Sequence, residues 1–255
     1  MNPYITGASL SGAAGLSEWA AAVEPACEAV ESHARAAAAS TSNAFDGQYC
    51  AELVEPHADN LSRAVRWAVA YTNAREGPLP CGVRLRVASA SPHDVSAMHR
   101  FVAELAEFER EPHEVRTTPA TFLRDGFGPS RQFHCVFAEE PVAGAPEDSS
   151  PWSSFKPIGM ALAHASYSTW HGPTIYVEDV YVTPVGRRRG VGERLFLCWA
   201  RAAHAAQAQR LQWCCLDWNK GAIALYESRL KAEPLTDWTI YRLYADGIKR
   251  IASGE

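Results

Sequence analysis

From residue 82 onward, the positions of apolar residues follow the period of a strand in some segments and that of a helix in others. Residues 83–87 alternate as a strand does, whereas the apolar residues of 92–108 recur every three or four positions, as on the buried side of a helix. Ser91, with the proline and the acidic residue after it, is typical of a helix N-terminus. This succession predicts an α/β fold in which helices pack on a mixed sheet. Further strands are predicted over 133–139, 158–166, 174–182, 211–216 and 238–244, and further helices from 191 and over 219–229.

The first 80 residues have a different pattern. Residues 16–39 are rich in Ala and Glu and favour a helix, and Asn60 is placed to cap a second helix that Gly77 and Pro78 would end. No group of residues typical of catalysis occurs there. We therefore expect a helical N-terminal extension over 1–80 and a catalytic domain over 81–255.

Composition narrows the class of protein. The net charge of −5 over 255 residues argues against a general nucleic-acid binder. No apolar run approaches the ~18 residues of a membrane span, and the N-terminus lacks the pattern of a signal peptide. The seven cysteines are odd in number and scattered, without the spacing of a metal site. The sequence predicts a soluble cytoplasmic protein with free thiols, no metal, and neither nucleic acid nor membrane as a partner.

The segment from 174 to 199 carries the strongest signal of chemistry. A strand, a turn of arginines and glycines over 187–192, and a helix follow one another. Such a turn presents backbone N–H groups at the positive end of a helix dipole, which favours anions, and the arginines favour phosphate. The turn lacks the Lys-Ser/Thr pair of a P-loop and the third glycine of a dinucleotide fingerprint. A structural helix cap is the alternative interpretation of these glycines.

The pattern Arg-x-x-Gly-x-Gly resembles the pyrophosphate loop of the acetyl-CoA-dependent N-acetyltransferases of the GNAT superfamily. Residues 167–184, with Trp170, Gly172 and Glu178-Asp179, resemble the spermidine/spermine (diamine) N-acetyltransferase family, especially its thialysine-acetylating branch. The resemblance spans about residues 82–250. It implies the GNAT fold, whose mixed sheet splays open to admit acetyl-CoA, and a homodimer acting on a small amine. Matching segments elsewhere are 104–109, 125–128, 133–135, 216–219 and 222–226.

The resemblance also implies roles for individual residues. Glu178 contacts the amine and relays its proton, and Tyr226 is the general acid that protonates the departing CoA thiolate. These residue types suit the chemistry, because an alkylamine with a pKa near ~10 must lose a proton before it attacks. The residues expected to bind acetyl-CoA are Val180, Tyr181, Val182, Arg187, Arg188, Arg189, Gly190, Val191, Gly192, Glu193, Asn219, Ala222 and Tyr226. Those expected to bind the amine are Phe108, Glu109, Glu178, Asp179, Gln212, Trp213 and Cys214.

The chain departs from the family after Tyr226. It has Leu230 where the family usually has glycine, and the loop to Trp238 is shorter and lacks an acidic pair, leaving Glu233 and Asp237. Three functions stay open. The first is direct acetylation of a small diamine, polyamine or lysine-like amine. The second is acetylation of a lysine in a protein or peptide, and the third is a CoA-binding scaffold that acts through its N-terminal helices.

Overall fold

A computed structural model describes residues 60–145 and 154–254 of the chain. The chain divides into two units, the first ending at Cys214 and the second running from Cys215 to Glu255. The helix predicted over 16–39 lies outside the described residues. The helices are α1 (Asn60–Glu76), α2 (Pro92–Glu109), α3 (Pro119–Phe127), α4 (Val191–Ala205), α5 (Lys220–Ala224) and α6 (Ala245–Ser253). The strands are β1 (Arg84–Val87), β2 (His134–Pro141), β3 (Phe155–Ser168), β4 (Gly172–Val182) and β5 (Arg210–Gln212).

The first unit is built on a five-stranded sheet in the order β1-β2-β3-β4-β5. The first four strands are antiparallel to their neighbours, whereas β4 and β5 are parallel, so the predicted mixed sheet is confirmed. The strands predicted over 83–87, 133–139, 158–166 and 174–182 all form. Among the described helices, none is both long and apolar enough to cross a membrane.

Helices cover both faces of this sheet. On one face, Met98 and Phe101 of α2 and Phe122 of α3 pack against Phe137 of β2 and Met160 of β3. On the other face, the apolar side of α4 is buried, and its Trp199 donates a hydrogen bond to the carbonyl oxygen of Ala161 in β3. Burial of these apolar side chains is the main force that holds the layers together. The side of the sheet covered by α2 and α3 is the α2 face, and the side covered by α4 is the α4 face.

Helix α1 begins at the predicted cap, Asn60, and ends before Gly77, as the sequence predicts. It lies within the predicted N-terminal extension, yet it packs against α4 and β1 of the first unit. Its buried residues, among them Val65 and Ala68, form the contact side. A domain boundary at residue 80 stays a prediction.

Two predictions for the C-terminal part of the chain are wrong. The strand predicted over 211–216 ends at Gln212, and residues 238–244 form no strand. Helix α6 follows directly, which the pattern does not predict. A strand exists through hydrogen bonds with a neighbour, whereas an alternating pattern shows only that one side is suited to burial. In the described part of the chain, no strand pairs with residues 238–244.

Candidate active site

A β-bulge in β4 explains how two adjacent carboxylates share one site. Leu162 of β3 pairs with Asp179, and the next residue, Ala163, pairs with Val177, so Glu178 is the extra residue of the bulge. Regular alternation would place Glu178 and Asp179 on opposite faces of the sheet. The bulge interrupts that alternation, and, in addition to burial, the charge of Glu178 raises the pKa of Asp179.

Asp179 has an unusual electrostatic environment. Burial raises its pKa to about 7, with further contributions from the negative charges of Glu178 and Glu109. Glu109 is the last residue of α2, and Phe108 beside it is partly exposed. Carboxylates from two elements, α2 and β4, therefore act on Asp179. An ammonium group placed among them would favour the charged form of Asp179, so the cluster suits a cationic amine.

Glu178 is the more accessible carboxylate of the bulge, with 56% of its side chain exposed. Its Oε2 lies 3.6 Å from Nε2 of His164. His164 is a candidate that the sequence analysis missed. His164 lies within the predicted strand 158–166. Its contact with Glu178 depends on the register of β3 against β4, which the local pattern does not show.

Strands β4 and β5 separate near the carboxylates. They pair only between residues 174–176 and 210–212, whereas β4 continues to Val182. Among the described residues, the segment 178–182 therefore has β3 on one side and no strand on the other. Backbone groups on that side suit hydrogen bonds with an extended ligand. Val180, Tyr181 and Val182, which are expected to bind acetyl-CoA, lie along this gap.

The glycine turn after β4 leads into the N-terminus of α4. Gly190 is the N-cap residue, with φ at +80°, in the left-handed region that favours glycine. A glycine offers no side chain to cap the backbone N–H groups of the first turn, which includes Val191 and Gly192. These groups and the helix dipole together favour an anion.

The three arginines of the turn differ in their contacts. Arg187 donates to a backbone carbonyl of β4, and its guanidinium lies 5.7 Å from the ring centre of Phe108. Arg189 donates to Glu140 at 2.8 Å and to two backbone carbonyls, so it ties the turn to β2. Arg188 is exposed, with φ at +61°. Of the three, Arg188 best suits a phosphate contact, and all three roles stay predictions.

The segment predicted to bind the amine, residues 212–214, begins at the last residue of β5, and its side chains have different neighbours. The Tyr176 hydroxyl donates to Sγ of Cys214 at 3.0 Å, and Gln212 pairs with Tyr176 along the strands. Trp213 instead packs on Phe196 of α4, with ring centres 4.8 Å apart. The position of Cys214 is therefore compatible with an amine contact, whereas Trp213 belongs to the α4 face.

Tyr226 lies in the second unit, in a single π-helical turn, Leu225–Arg229, that continues α5. Such turns are frequent at functional sites. The side chain of Asn219 accepts a hydrogen bond from the backbone N–H of Ala222 at 3.3 Å and caps α5. This helix cap gives Asn219 a structural role in the second unit. Its contact with CoA, like the general-acid role of Tyr226, stays a prediction.

Comparison with known sequences decides the family. The sequence profile described as "Acetyltransferase (GNAT) family" matches residues 100–231, more than half of the 255-residue chain. The chain belongs to the GNAT acetyltransferase family. This GNAT enzyme is 34% identical over 170 residues to the thialysine N-epsilon-acetyltransferase of Mus musculus, an alignment that covers 66% of this chain and 96% of that protein. It is 28% identical over 159 residues to the spermidine/spermine N(1)-acetyltransferase-like protein 1 of Homo sapiens, covering 62% of this chain and 22% of that one.

A solved structure agrees with this assignment at the level of the fold. An integron cassette protein from the mobile metagenome of V. cholerae superimposes with a TM-score of 0.50 at 19% identity, covering 67% of this chain and 97% of that one. The GNAT enzyme is thus an N-acetyltransferase, and the family resemblance inferred from its motifs is confirmed.

Proposed function

We propose that this GNAT enzyme transfers an acetyl group from acetyl-CoA to a primary amine of a small lysine-like or diamine substrate by direct attack. The observation that carries the proposal is the cluster of Glu109, Glu178 and Asp179 beside the gap between β4 and β5. A cationic amine needs negative neighbours to bind and a proton acceptor to become a nucleophile. The thialysine acetyltransferase among its relatives supports a lysine-like substrate.

The proposed roles follow from position and accessibility. Asp179 and Glu109 hold the ammonium group, and the more exposed Glu178 accepts its proton. The backbone of residues 180–182 orients the thioester carbonyl. The first turn of α4 holds the pyrophosphate of CoA. Tyr226 then donates a proton to the leaving thiolate, since a phenol is protonated at neutral pH.

We also propose that the enzyme is a homodimer whose contacts involve the second unit. Within that unit, residues 215–254 contain no buried residue. Exposed apolar surface of this extent marks an interaction site, and a second copy could cover it symmetrically. The large apolar side chains exposed in this unit include Leu235, Ile240, Tyr241, Leu243, Ile248 and Ile251.

A cytoplasmic location stays a prediction.

The test is a thiol-release assay with acetyl-CoA against thialysine, lysine, putrescine, spermidine and a lysine peptide. We expect turnover of thialysine or lysine, and a loss of kcat of ~10²-fold or more in Tyr226→Phe with unchanged affinity for CoA. Tyr167→Phe is the matched control, because Tyr167 is an exposed tyrosine and loses the same hydroxyl. Binding of acetyl-CoA without turnover of any amine would contradict the proposal, and turnover of the peptide alone would move it to protein lysines.

A further inference from the structure

We propose that His164 is a positioning residue that acts through Glu178 in the acetyl-transfer reaction. His164 takes the proton that Glu178 receives from the substrate and delivers it to solvent. The inference rests on the proposed function, because it extends the role of Glu178. It starts from the contact between Nε2 of His164 and Oε2 of Glu178, at 3.6 Å.

The backbone determines which nitrogen of His164 carries the proton. Nδ1 lies 3.0 Å from the carbonyl oxygen of Ala165. A carbonyl oxygen only accepts hydrogen bonds, so Nδ1 is the donor. In the neutral imidazole, Nε2 is then an acceptor that faces the carboxylate of Glu178. Oε2 of Glu178 and Nε2 of His164 are then two acceptors between which one proton can be held, and in the proposed reaction the substrate amine supplies it.

Neighbouring side chains hold the imidazole in this orientation. His164 lies directly opposite Tyr176 on β4, and the two rings stack with centres 5.3 Å apart and planes inclined by 27°. The Tyr176 hydroxyl donates to Cys214 in turn. The titratable groups near the imidazole of His164 are therefore Glu178, Tyr176 and Cys214. Asp179 belongs to the same group of residues, because the charges of Glu178 and Glu109 act on it.

The proton leaves the site through exposed groups. The side chains of Glu178 and His164 are 56% and 35% exposed, whereas burial raises the pKa of Asp179. The ammonium group of the substrate loses one proton to Oε2 of Glu178, which leaves a neutral amine with the lone pair for attack. The Glu178 carboxyl passes that proton to Nε2 of His164. The resulting imidazolium releases it to water, and Glu178 and His164 return to their initial protonation states.

Steady-state kinetics of two variants test this role. His164→Phe keeps a ring for the stack on Tyr176 but has no proton acceptor, and His164→Ala leaves room for added imidazole. We expect kcat to fall on the order of tenfold in both, with the KM for the amine unchanged. We also expect His164→Phe to lose an inflection in the pH profile of kcat, and imidazole to restore His164→Ala. His204→Phe, at an exposed position of α4, is the control and should behave as the wild type.

A wild-type kcat and pH profile in His164→Phe would overturn the inference while leaving the proposed function intact. A lower kcat with an unchanged pH profile and no rescue by imidazole would also overturn it, because it would indicate a structural role only. Absence of turnover in the wild type would overturn the proposed function and the relay with it. Nitrogen NMR of the wild type gives a test that needs no variant: the neutral imidazole of His164 must carry its proton on Nδ1, and a proton on Nε2 would overturn the relay.

Discussion

Asp179 links the chemistry of the site to the stability of the folded chain. Its pKa is 3.8 in its ordinary state and about 7 in the folded protein, because burial and two neighbouring carboxylates disfavour the charge. Between these two values, the unfolded chain binds fewer protons than the folded chain at this residue. The contribution of Asp179 to the free energy of unfolding therefore falls as the pH rises from about 4 to about 7.

Asp179→Asn removes the unfavourable free energy of the buried negative charge. We expect the variant to gain more stability at pH 8 than at pH 5, by roughly 2 kcal/mol, in urea unfolding at both pH values. The KM for the amine should rise, because a negative charge is lost. Glu107→Gln, on the exposed side of α2, is the control for removal of a carboxylate. Equal gains at the two pH values would contradict a buried-charge penalty.

At the residue scale, the sequence predicts candidate site residues but not all of their neighbours. Glu178 and Asp179 follow from the family resemblance. The bulge between them does not follow from the resemblance; its trace in the sequence is a shift in the apolar positions, from 175 and 177 to 180 and 182. His164 also escapes prediction, since its meeting with Glu178 depends on the register of two strands. Register is set by long-range pairing and not by local pattern.

At the scale of elements, a buried ion-pair network joins β1, α2 and β2. Arg86 donates from both terminal nitrogens to Asp94 and from Nε to Glu139, each at 2.8 Å. The side chains of Asp94 and Glu139 are only 1% and 2% exposed. Burial alone would lower the pKa of Arg86, but the two carboxylates raise it above its ordinary value. The guanidinium therefore stays charged and neutralises both acids.

Arg86→Met leaves two buried carboxylates without this partner. We expect it to lower the free energy of unfolding by about 3–5 kcal/mol, measured by urea denaturation at pH 7. Arg84→Met is the matched control, because Arg84 also pairs with Glu139 but is 41% exposed. The decrease in the free energy of unfolding should be clearly smaller in Arg84→Met than in Arg86→Met. Similar losses in the two variants would show that burial of the network does not determine its contribution.

The same network shows how far elements can be predicted. The start of α2 is where the sequence places it, with Ser91 accepting a hydrogen bond from the backbone N–H of Asp94. Arg84 and Arg86 are at alternate positions of β1 and so lie on one face. That face is partly covered, since Arg86 is paired with buried acids of α2 and β2 whereas Arg84 is 41% exposed. The polar half of an alternating strand identifies a face but does not show what packs on it.

At the scale of the whole molecule, the second unit accounts for the part of the fold that the sequence did not predict. Residues 238–244 alternate as a strand would, yet they form none in the single chain. Local pattern can identify a segment suited to pairing, but the partner strand can come from elsewhere, including another copy. The alternation of residues 238–244 shows that the segment is suited to pairing but not which strand would pair with it.

The proposed homodimer leads to a specific expectation for α6. Ile248 and Ile251 are exposed on one side of this helix. Replacing both by Lys should convert the dimer to a monomer in sedimentation velocity, because charges would be buried without partners. Lys249→Ala changes a neighbouring polar position and should leave the dimer intact. A wild-type monomer, or a dimer that tolerates both lysines, would contradict the proposed contact surface.

The bulge in β4 ties Glu178, the proposed proton acceptor, to the register of the sheet. Beyond Glu178, every side chain of β4 points to the face opposite to the one it would occupy in a regular strand, so Tyr181 enters the core of the α2 face. A substitution at residue 178 keeps the length of β4 and changes the charge beside Asp179 and His164. A deletion there would exchange Tyr181 and Val182 between the two layers and disrupt the packing of both. Mutation can therefore replace this acid, but it cannot shorten the strand at this point without cost to the fold.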